Sequence, residues 1–218
     1  MKYVFVGDIH GKVDAVNKAL DTDGFKVFVG DIMDSYDRPP KDHQECLELV
    51  LGACIREEAV CLYGNHELSY THARPCSGYK WEHMEIVQEY KNLIHKHFKH
   101  YFSPCENFLV THAGLTKQLW EDHYLGGLEE WGDVLLILDK WSADKSSPAW
   151  YVGNCRGGWM PYGGIYWCDF DREFQPIPDV TQVFGHTRAK KGEGIRQIEN
   201  SFCIDCLDEN MQFLEIEL

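Results

Sequence analysis

Histidine, aspartate and asparagine recur in five short segments of this 218-residue sequence, and each segment begins where an apolar run ends. The segments are residues 7–11 (GDIHG), 30–34 (GDIMD), 64–67 (GNHE), 111–114 (THAG) and 185–187 (GHT). Carboxylate, amide and imidazole groups are the ligands expected for borderline first-row ions such as manganese, iron or zinc. Side chains that follow the carboxyl ends of strands in an open α/β sheet converge on one crevice, so the five segments could form one metal site.

Alternating strands and helices are predicted to position these segments. Residues 3–6 and 26–29 are β-rich runs, and apolar residues at helical spacing over 12–20 connect them as a βαβ unit. A helix over 41–56 and a strand over 59–63 continue the alternation. This order of elements predicts an α/β fold.

The rest of the chain is less regular. We expect a single domain over residues 1–218, with a helical cap or insertion at about 68–105 and an aromatic loop at about 141–170. Helices are predicted over 82–98, 115–123 and 129–141, and strands over 108–111, 181–184, 194–198, 201–204 and 212–216. The last three strands are close enough in sequence to predict an antiparallel meander.

Composition narrows the class of protein. The 21 Lys and Arg residues against 35 Asp and Glu residues give a net charge of −14, which disfavours a nucleic-acid polymer as partner. No apolar run has the length of a membrane span, so we expect a cytoplasmic protein without a membrane partner. Nine scattered cysteines suit reduced thiols, and the Cys203–Cys206 pair is interpreted as two small apolar residues near a strand.

The five segments in their order resemble the calcineurin-like metallophosphoesterases, the superfamily that includes the PPP serine/threonine phosphatases. The matching pattern is D-x-H, G-D-x-x-D, G-N-H-E, H-A-G and G-H, from Asp8 to His186. The final segment lacks the G-H-x-H form, which favours the PPP-like branch, and the bacterial and phage-type members look closest. The resemblance implies a two-sheet αββα sandwich with the metals at the carboxyl ends of the central strands.

The resemblance also implies a metal set. It implies two divalent ions, with manganese expected and iron or zinc as alternatives. The implied ligands are Asp8 and His10 for one ion, Asn65, His112 and His186 for the other, and Asp31 as a bridge between the two.

By the same resemblance, His66 protonates the leaving oxygen and Asp34 orients the His66 imidazole. The implied reaction is hydrolysis of a phosphomonoester, in a phosphoprotein or a small molecule, by a metal-bridging hydroxide. One alternative is a dinucleoside polyphosphate or cyclic-nucleotide hydrolase. Another is a non-catalytic scaffold with this fold, although a scaffold has no need of the pair His66 and Asp34.

The phosphate-binding residue differs from the PPP pattern. PPP phosphatases read G-D-x-x-D-R-G and bind phosphate with that arginine, whereas Ser35 stands at the position here. A forked donor is still needed for phosphate. Arg38 and Arg156 are predicted to supply it, with Arg74 and Arg172 as further candidates.

Some histidines and tryptophans lie outside the five segments. His43, His72, His83 and His123 have no motif context and are predicted to be surface residues. The four tryptophans of the aromatic loop could pack the loop or stack on a nucleobase, and the sequence leaves both roles open. These four residues are Trp141, Trp150, Trp159 and Trp167.

Overall fold

Two β-sheets form the centre of the protein. The computed structural model describes residues 1–124 and 130–218. The strands are β1 (Lys2–Val6), β2 (Phe25–Phe28), β3 (Ala59–Leu62), β4 (Phe98–Lys99), β5 (Phe108–Val110), β6 (Thr181–Phe184), β7 (Arg196–Ile198), β8 (Ser201–Cys203) and β9 (Leu214–Glu217). One sheet has the order β4-β3-β2-β1-β9 and the other the order β5-β6-β8-β7.

Most neighbouring strands are parallel, and helices connect each of these parallel pairs except β6 and β8. In the first sheet only β9 runs antiparallel to its neighbour, and in the second sheet only β7 does. The helices are α1 (Val13–Asp21), α2 (Pro40–Ile55), α3 (Asn65–Thr71), α4 (Trp81–His97), α5 (Lys117–His123) and α6 (Trp131–Ala143). Of the helix predicted over 129–141, Glu129 lies outside the described residues.

Alternation along the strands explains the layers. Phe5 and Val27 face the second sheet, where the Phe5 and Phe108 rings stack with centroids 5.7 Å apart. Val4 and Phe28 point to the opposite face and pack with residues of α1 and α2. Strands buried on both faces are near-continuous apolar runs, as residues 3–6 and 26–29 are. The predicted two-sheet sandwich flanked by helices is confirmed.

The predicted meander of the last three strands is wrong. β7 and β8 do form an antiparallel pair, but β9 crosses to the first sheet and pairs antiparallel with β1. There, Leu214 and Ile216 pack against the apolar layer between the sheets. The crossing covers the edge of β1, whose backbone groups would otherwise lack partners.

The segments predicted as a cap and as an aromatic loop have distinct environments. Helix α4 packs beside α2 and leads directly into the edge strand β4. Residues 141–170 contain the end of α6 and two short 3₁₀ turns, Pro148–Trp150 and Asn154–Arg156. Within 1–124 and 130–218, none of the helices combines the length and apolar character needed to cross a membrane.

Two of the histidines predicted to be surface residues are fully buried, which corrects that prediction. His43 and His83 are each 0% exposed, and their rings lie 4.4 Å apart. His72 is half-buried, and only His123 is exposed. The lack of motif context argued for the surface, but His83 lies four residues before the buried Val87 on the inner face of α4.

Partial burial of His72 and His100 makes stability depend on pH. Burial lowers the pKa of His72 and of His100 to about 4, against about 6.5 in an unfolded chain. Between these values the unfolded chain binds more protons than the folded one, so stability falls as the pH falls from 6.5 towards 4. We expect each histidine to account for about 1–2 kcal/mol of the stability lost between pH 7 and pH 5.

Urea unfolding of the metal-free protein at the two pH values measures this effect. In His100→Phe the loss of unfolding free energy between pH 7 and pH 5 should shrink by about 1–2 kcal/mol. The exposed His123 provides the control, since His123→Phe should leave the loss unchanged. An unaltered loss in His100→Phe would contradict the assignment.

Candidate metal centre

The two sheets bring the predicted ligands to one place. Asp8, Asp31 and Asn65 follow β1, β2 and β3 of the first sheet by two or three residues, and His112 and His186 follow β5 and β6 of the second. All five therefore stand at the carboxyl ends of parallel strands, as the sequence predicted. Asp8, His10, Asp31, Asn65 and His186 line one cavity of about 420 Å³, and the fully buried His112 lies directly behind them.

Strained backbone and missing side chains allow this close convergence. His10, Asp31 and His186 have φ angles of +47°, +51° and +67°, a left-handed region that costs energy for residues other than glycine. A Cβ on Gly64 would lie 2.0 Å from Asp31 Oδ1, so only glycine fits before Asn65. Clusters of such outliers are typical of functional sites.

Asp31 lies at the centre of the predicted ligands. Its Oδ2 is 3.3 Å from His112 Nε2 and 3.9 Å from both His10 Nε2 and His66 Nε2. Burial alone would raise the pKa of this carboxyl, but the charges of His112 and His66 hold it well below the usual value. A deprotonated carboxylate surrounded by imidazole nitrogens is a donor set suited to divalent ions.

Two close groups of potential ligand atoms share Asp31. One of them contains His10, Asp31 and His66, and the other contains Asp31, His112 and His186. A third group, of Asp34, His66 and Cys76, does not contain Asp31. Within each group the atoms lie within 4.8 Å of one another. The first group includes His66, predicted as the acid rather than as a ligand, and does not include Asp8. The carboxylate of Asp8 instead accepts the His186 backbone N–H at 3.0 Å.

The histidine rings are oriented as metal ligands usually are. His112 Nδ1 contacts the Val29 carbonyl at 2.9 Å, and His10 Nδ1 contacts the Met33 carbonyl at 3.0 Å. In each ring the carbonyl contact at Nδ1 leaves Nε2 facing the Asp31 carboxylate. Such an outer contact fixes the tautomer of metal-binding histidines. His186 Nε2 is buried without a hydrogen-bond partner among the described residues. The residues present therefore fit divalent metal ions.

Asn65 and His112 link the second group. Asn65 Oδ1 lies 2.9 Å and His186 Nδ1 lies 3.2 Å from His112 Nε2. Despite burial, the neighbouring Asp31 carboxylate raises the pKa of His112 to about 9. Burial and the charge of His112 lower the pKa of His186 well below the usual value. The shifts are opposite because His112 lies beside a carboxylate, whereas His186 lies beside a cationic imidazole.

His66 and Asp34 form a hydrogen-bonded pair at the edge of this centre. His66 Nδ1 lies 2.8 Å from Asp34 Oδ2, and the Cys76 thiol lies 3.6 Å from the same nitrogen. Burial by itself would lower the pKa of His66, but the Asp31 charge and the Asp34 hydrogen bond raise it well above the ordinary value. A cationic imidazole held by a carboxylate can donate a proton.

Glu67 belongs to a motif, yet the sequence suggested no role for it. It is 0% exposed, and its carboxylate accepts the backbone N–H groups of Asp31, Ile32, Met33 and Gly64 at 2.8–3.0 Å. Burial and the Asp31 charge raise its pKa to about 7. Glu67 thus holds the loop after β2 in the strained shape that presents Asp31.

We expect Glu67→Gln to destabilise the protein by about 2–5 kcal/mol, because an amide nitrogen would face backbone donors that need an acceptor. Urea unfolding of metal-free protein measures the loss. Among residues 1–124 and 130–218 the exposed Glu58 carboxylate pairs only with Arg56, so Glu58→Gln serves as a control that should change stability little. Equal stability of Glu67→Gln and Glu58→Gln would contradict this role of Glu67.

The predicted phosphate-binding arginines both line the cavity, whereas Arg74 and Arg172 do not. Arg156 Nη2 lies 3.0 Å from both Asp169 Oδ2 and Thr187 Oγ1, so its guanidinium is fixed before any substrate arrives. Arg188 also lines the cavity, but it is largely exposed and paired with Asp208 and Glu209.

Three further residues of the cavity were missed by the sequence analysis. Asp205 follows β8 just as the motif residues follow their strands, and burial raises its pKa to about 6. Lys12 Nζ pairs with Asp208 at 2.8 Å beside it. The position of Asp205 after an apolar run could have indicated its role. The Cys203–Cys206 spacing was interpreted instead, and both of these thiols are free and buried.

The tryptophans of the aromatic loop lie in different environments. Trp150 is buried and packs the loop against the core. Trp167 lines the cavity, with its ring edge-on to His186 at 5.8 Å. Trp159 is 98% exposed. The sequence could not assign these roles because the loop has no periodicity.

Comparison with known proteins identifies the family. The family model for calcineurin-like phosphoesterases matches residues 1–190. The chain therefore belongs to the calcineurin-like phosphoesterase family, and it is a metal-dependent phosphoric ester hydrolase. No curated protein sequence matches this chain.

Solved structures share the fold. The cold-active protein-tyrosine phosphatase of a psychrophilic Shewanella species is 16% identical, and the match covers 99% of this chain and 75% of that chain with a TM-score of 0.63. A structure of a cold-active protein tyrosine phosphatase at 1.1 Å is also 16% identical, with coverage of 99% and 73% and a TM-score of 0.59. At this identity the likeness concerns the fold alone.

Proposed function

We propose that the protein is a dinuclear metal-dependent phosphomonoesterase. The observation that carries the proposal is the position of Asp31 in two groups of potential ligand atoms, because a shared carboxylate is what a pair of ions requires. Two ions held together would lower the pKa of a water molecule and neutralise charge on the phosphoryl group. Manganese is proposed as the metal, with iron or zinc as alternatives, since the donors are oxygen and imidazole.

We assign metal binding and proton donation to different residues. Asp8 and His10 would hold one ion, Asn65, His112 and His186 the other, and Asp31 both. His66, held by Asp34 at 2.8 Å, would give its proton to the leaving oxygen of the substrate. This buried pair supports hydrolysis and counts against the scaffold alternative, because a scaffold gains nothing from a positioned acid.

Arg156 is proposed as the main phosphate donor in place of the PPP arginine, with Arg38 beside it. We expect Arg156→Ala to raise KM about 10- to 100-fold, the value of a charge-assisted hydrogen bond, with a smaller loss in kcat. Arg38→Ala should raise KM less, because no hydrogen bond fixes Arg38 among the described residues. Steady-state kinetics with p-nitrophenyl phosphate measure both changes.

Arg172 lies outside the cavity lining, so Arg172→Ala serves as the control and should keep wild-type kinetics. Wild-type KM values in both Arg156→Ala and Arg38→Ala would show that phosphate is bound by other groups. A substrate larger than a simple monoester would then become the preferred hypothesis.

A dinucleoside polyphosphate or cyclic-nucleotide hydrolase is the second candidate. The observation that favours it is Trp167 in the cavity wall, where an aromatic ring could contact a nucleobase. Rates of the manganese-loaded enzyme on p-nitrophenyl phosphate, bis(p-nitrophenyl) phosphate, phosphopeptides, a dinucleoside polyphosphate and a cyclic nucleotide separate the candidates. We expect the monoesters to be hydrolysed fastest, and a preference for either nucleotide would overturn that order.

The setting of the enzyme is also a proposal. Nine free cysteines support a reducing compartment, which for this chain we take to be the cytoplasm. The net charge of −14 counts against a nucleic-acid polymer as partner. The arginines Arg38 and Arg156 in the cavity lining support a phosphorylated protein or small molecule, and no membrane partner is proposed.

A further inference from the structure

Both carboxylate oxygens of Asp34 have close polar contacts, and the pairing with His66 accounts for only one of them. Its Oδ2 lies 2.8 Å from His66 Nδ1. Its Oδ1 accepts the Tyr70 hydroxyl at 2.5 Å and contacts His83 Nδ1 at 2.6 Å. Asp34, Tyr70 and His83 are 2%, 3% and 0% exposed, so these contacts are made away from bulk water.

A carboxylate that contacted His66 alone could turn about its last side-chain bond, and the imidazole would turn with it. Two donors on the opposite oxygen remove this freedom. We propose that Tyr70 and His83 are positioning residues that fix the Asp34 carboxylate, and through it the His66 ring, in the orientation needed for proton donation. The inference rests on the proposed role of His66 as the acid that protonates the leaving oxygen.

The two donors come from neighbouring helices. Tyr70 lies on α3, the helix that also carries Asn65 and His66, and its ring stacks on Tyr79 at 4.9 Å. His83 lies in the first turn of α4. The Tyr70 hydroxyl also accepts the backbone N–H of Lys80 at 2.9 Å, which ties the start of α4 to the same carboxylate. The segment predicted as a cap or insertion thus contributes to the acid at the centre.

A purely structural role would predict a different outcome. If Tyr70 and His83 only satisfied a buried carboxylate, their loss would weaken the fold and lower all rates alike. If they position His66, removing either of them must lower the rate more for a substrate whose leaving oxygen needs a proton. The leaving-group dependence of kcat therefore separates the two roles.

The experiment compares Tyr70→Phe with Tyr79→Phe, the same chemical change in two stacked rings of which only one contacts Asp34. In the metal-loaded enzyme, Tyr70→Phe should lower kcat about 3- to 10-fold on an alkyl phosphate, with a smaller loss on p-nitrophenyl phosphate and little change in KM. Tyr79→Phe should behave as wild type on both substrates.

His83 provides a second comparison. His83→Leu removes the donor and should lower kcat on the alkyl phosphate about 10- to 100-fold. His83→Asn keeps a short N–H donor near the same position and should recover most of that loss. Should His83→Leu fail to fold, the tyrosine pair still decides the question.

A measurement independent of turnover accompanies the kinetics. In the full-length metal-free protein, ¹⁵N NMR of the His66 ring reports whether the Nδ1 proton is held in a hydrogen bond. The signal should be sharp in the wild type and in Tyr79→Phe, and it should shift or broaden in Tyr70→Phe. If the wild-type enzyme hydrolysed no phosphate ester, the proposed function would fail, and this signal alone would decide whether Tyr70 positions the ring.

The inference is overturned by equal rate losses on good and poor leaving groups in Tyr70→Phe. Identical behaviour of Tyr70→Phe and Tyr79→Phe also overturns it, and so does a His66 signal that does not change in Tyr70→Phe. Rescue in His83→Asn together with a leaving-group-dependent loss in Tyr70→Phe establishes it.

Discussion

Asp31→Asn should remove both metal ions together and lower kcat/KM on p-nitrophenyl phosphate by at least about 10³-fold, since the ions supply several kcal/mol of transition-state stabilisation. The reason is that the Asp31 carboxylate belongs to two groups of potential ligand atoms. An amide at this position cannot place an anionic oxygen between two cations. Elemental analysis after manganese reconstitution measures the ions per chain, and steady-state kinetics measure the rate.

Asp133 supplies the matched control for this variant. It is exposed on α6, so Asp133→Asn makes the same change in charge and should keep both ions and the full rate. Loss of a single ion from Asp31→Asn would contradict the bridging role. Retention of both ions at the wild-type rate would remove Asp31 from the centre altogether.

His66→Asn should keep both ions and lose about 10²–10⁴-fold in kcat on substrates with a poor leaving group, which is the usual contribution of a positioned acid. The loss should be small for p-nitrophenyl phosphate, because p-nitrophenolate leaves without a proton. The distance of 2.8 Å between His66 Nδ1 and Asp34 Oδ2 predicts the same pattern, at smaller size, for Asp34→Asn. The measurement is kcat across a series of phosphate esters of graded leaving-group pKa.

The double variant supplies the control for this pair. Two residues that act as one unit are not additive, so His66→Asn combined with Asp34→Asn should cost little more than His66→Asn alone. An equal loss on good and poor leaving groups would instead place His66 among the metal-organising residues. His66 Nε2 lies 3.9 Å from Asp31 Oδ2, so His66 is close enough to the predicted ligands to organise the metals.

The sequence predicts the part of this centre that depends on local order. Asp8, Asp31 and Asn65 each follow a short apolar strand, and the carboxyl ends of parallel strands meet, so their convergence follows from sequence position. The helical spacing of apolar residues similarly predicts α1 and α2. In these segments the local pattern and the global fold agree.

The remaining features depend on contacts between distant parts of the chain. Nothing local indicates that β9 pairs with β1 in the first sheet, or that the carboxylate of Glu67 accepts the N–H groups of the loop after β2. Arg156 reaches the cavity from an irregular loop without periodicity. The position of His83 could have been predicted in part. Its spacing from Val87 places it on the buried face of α4, but a histidine without motif context does not indicate burial.

We propose that this phosphoesterase works with two metal ions around Asp31. The most direct test is to strip the wild-type protein of metal, titrate Mn²⁺ back, and follow bound manganese and p-nitrophenyl phosphate hydrolysis together. We expect manganese binding to saturate near two ions per chain, with hydrolysis absent in the stripped protein and complete only when both ions are bound. Hydrolysis that persists without metal, or that is complete with one bound ion, would contradict this proposal.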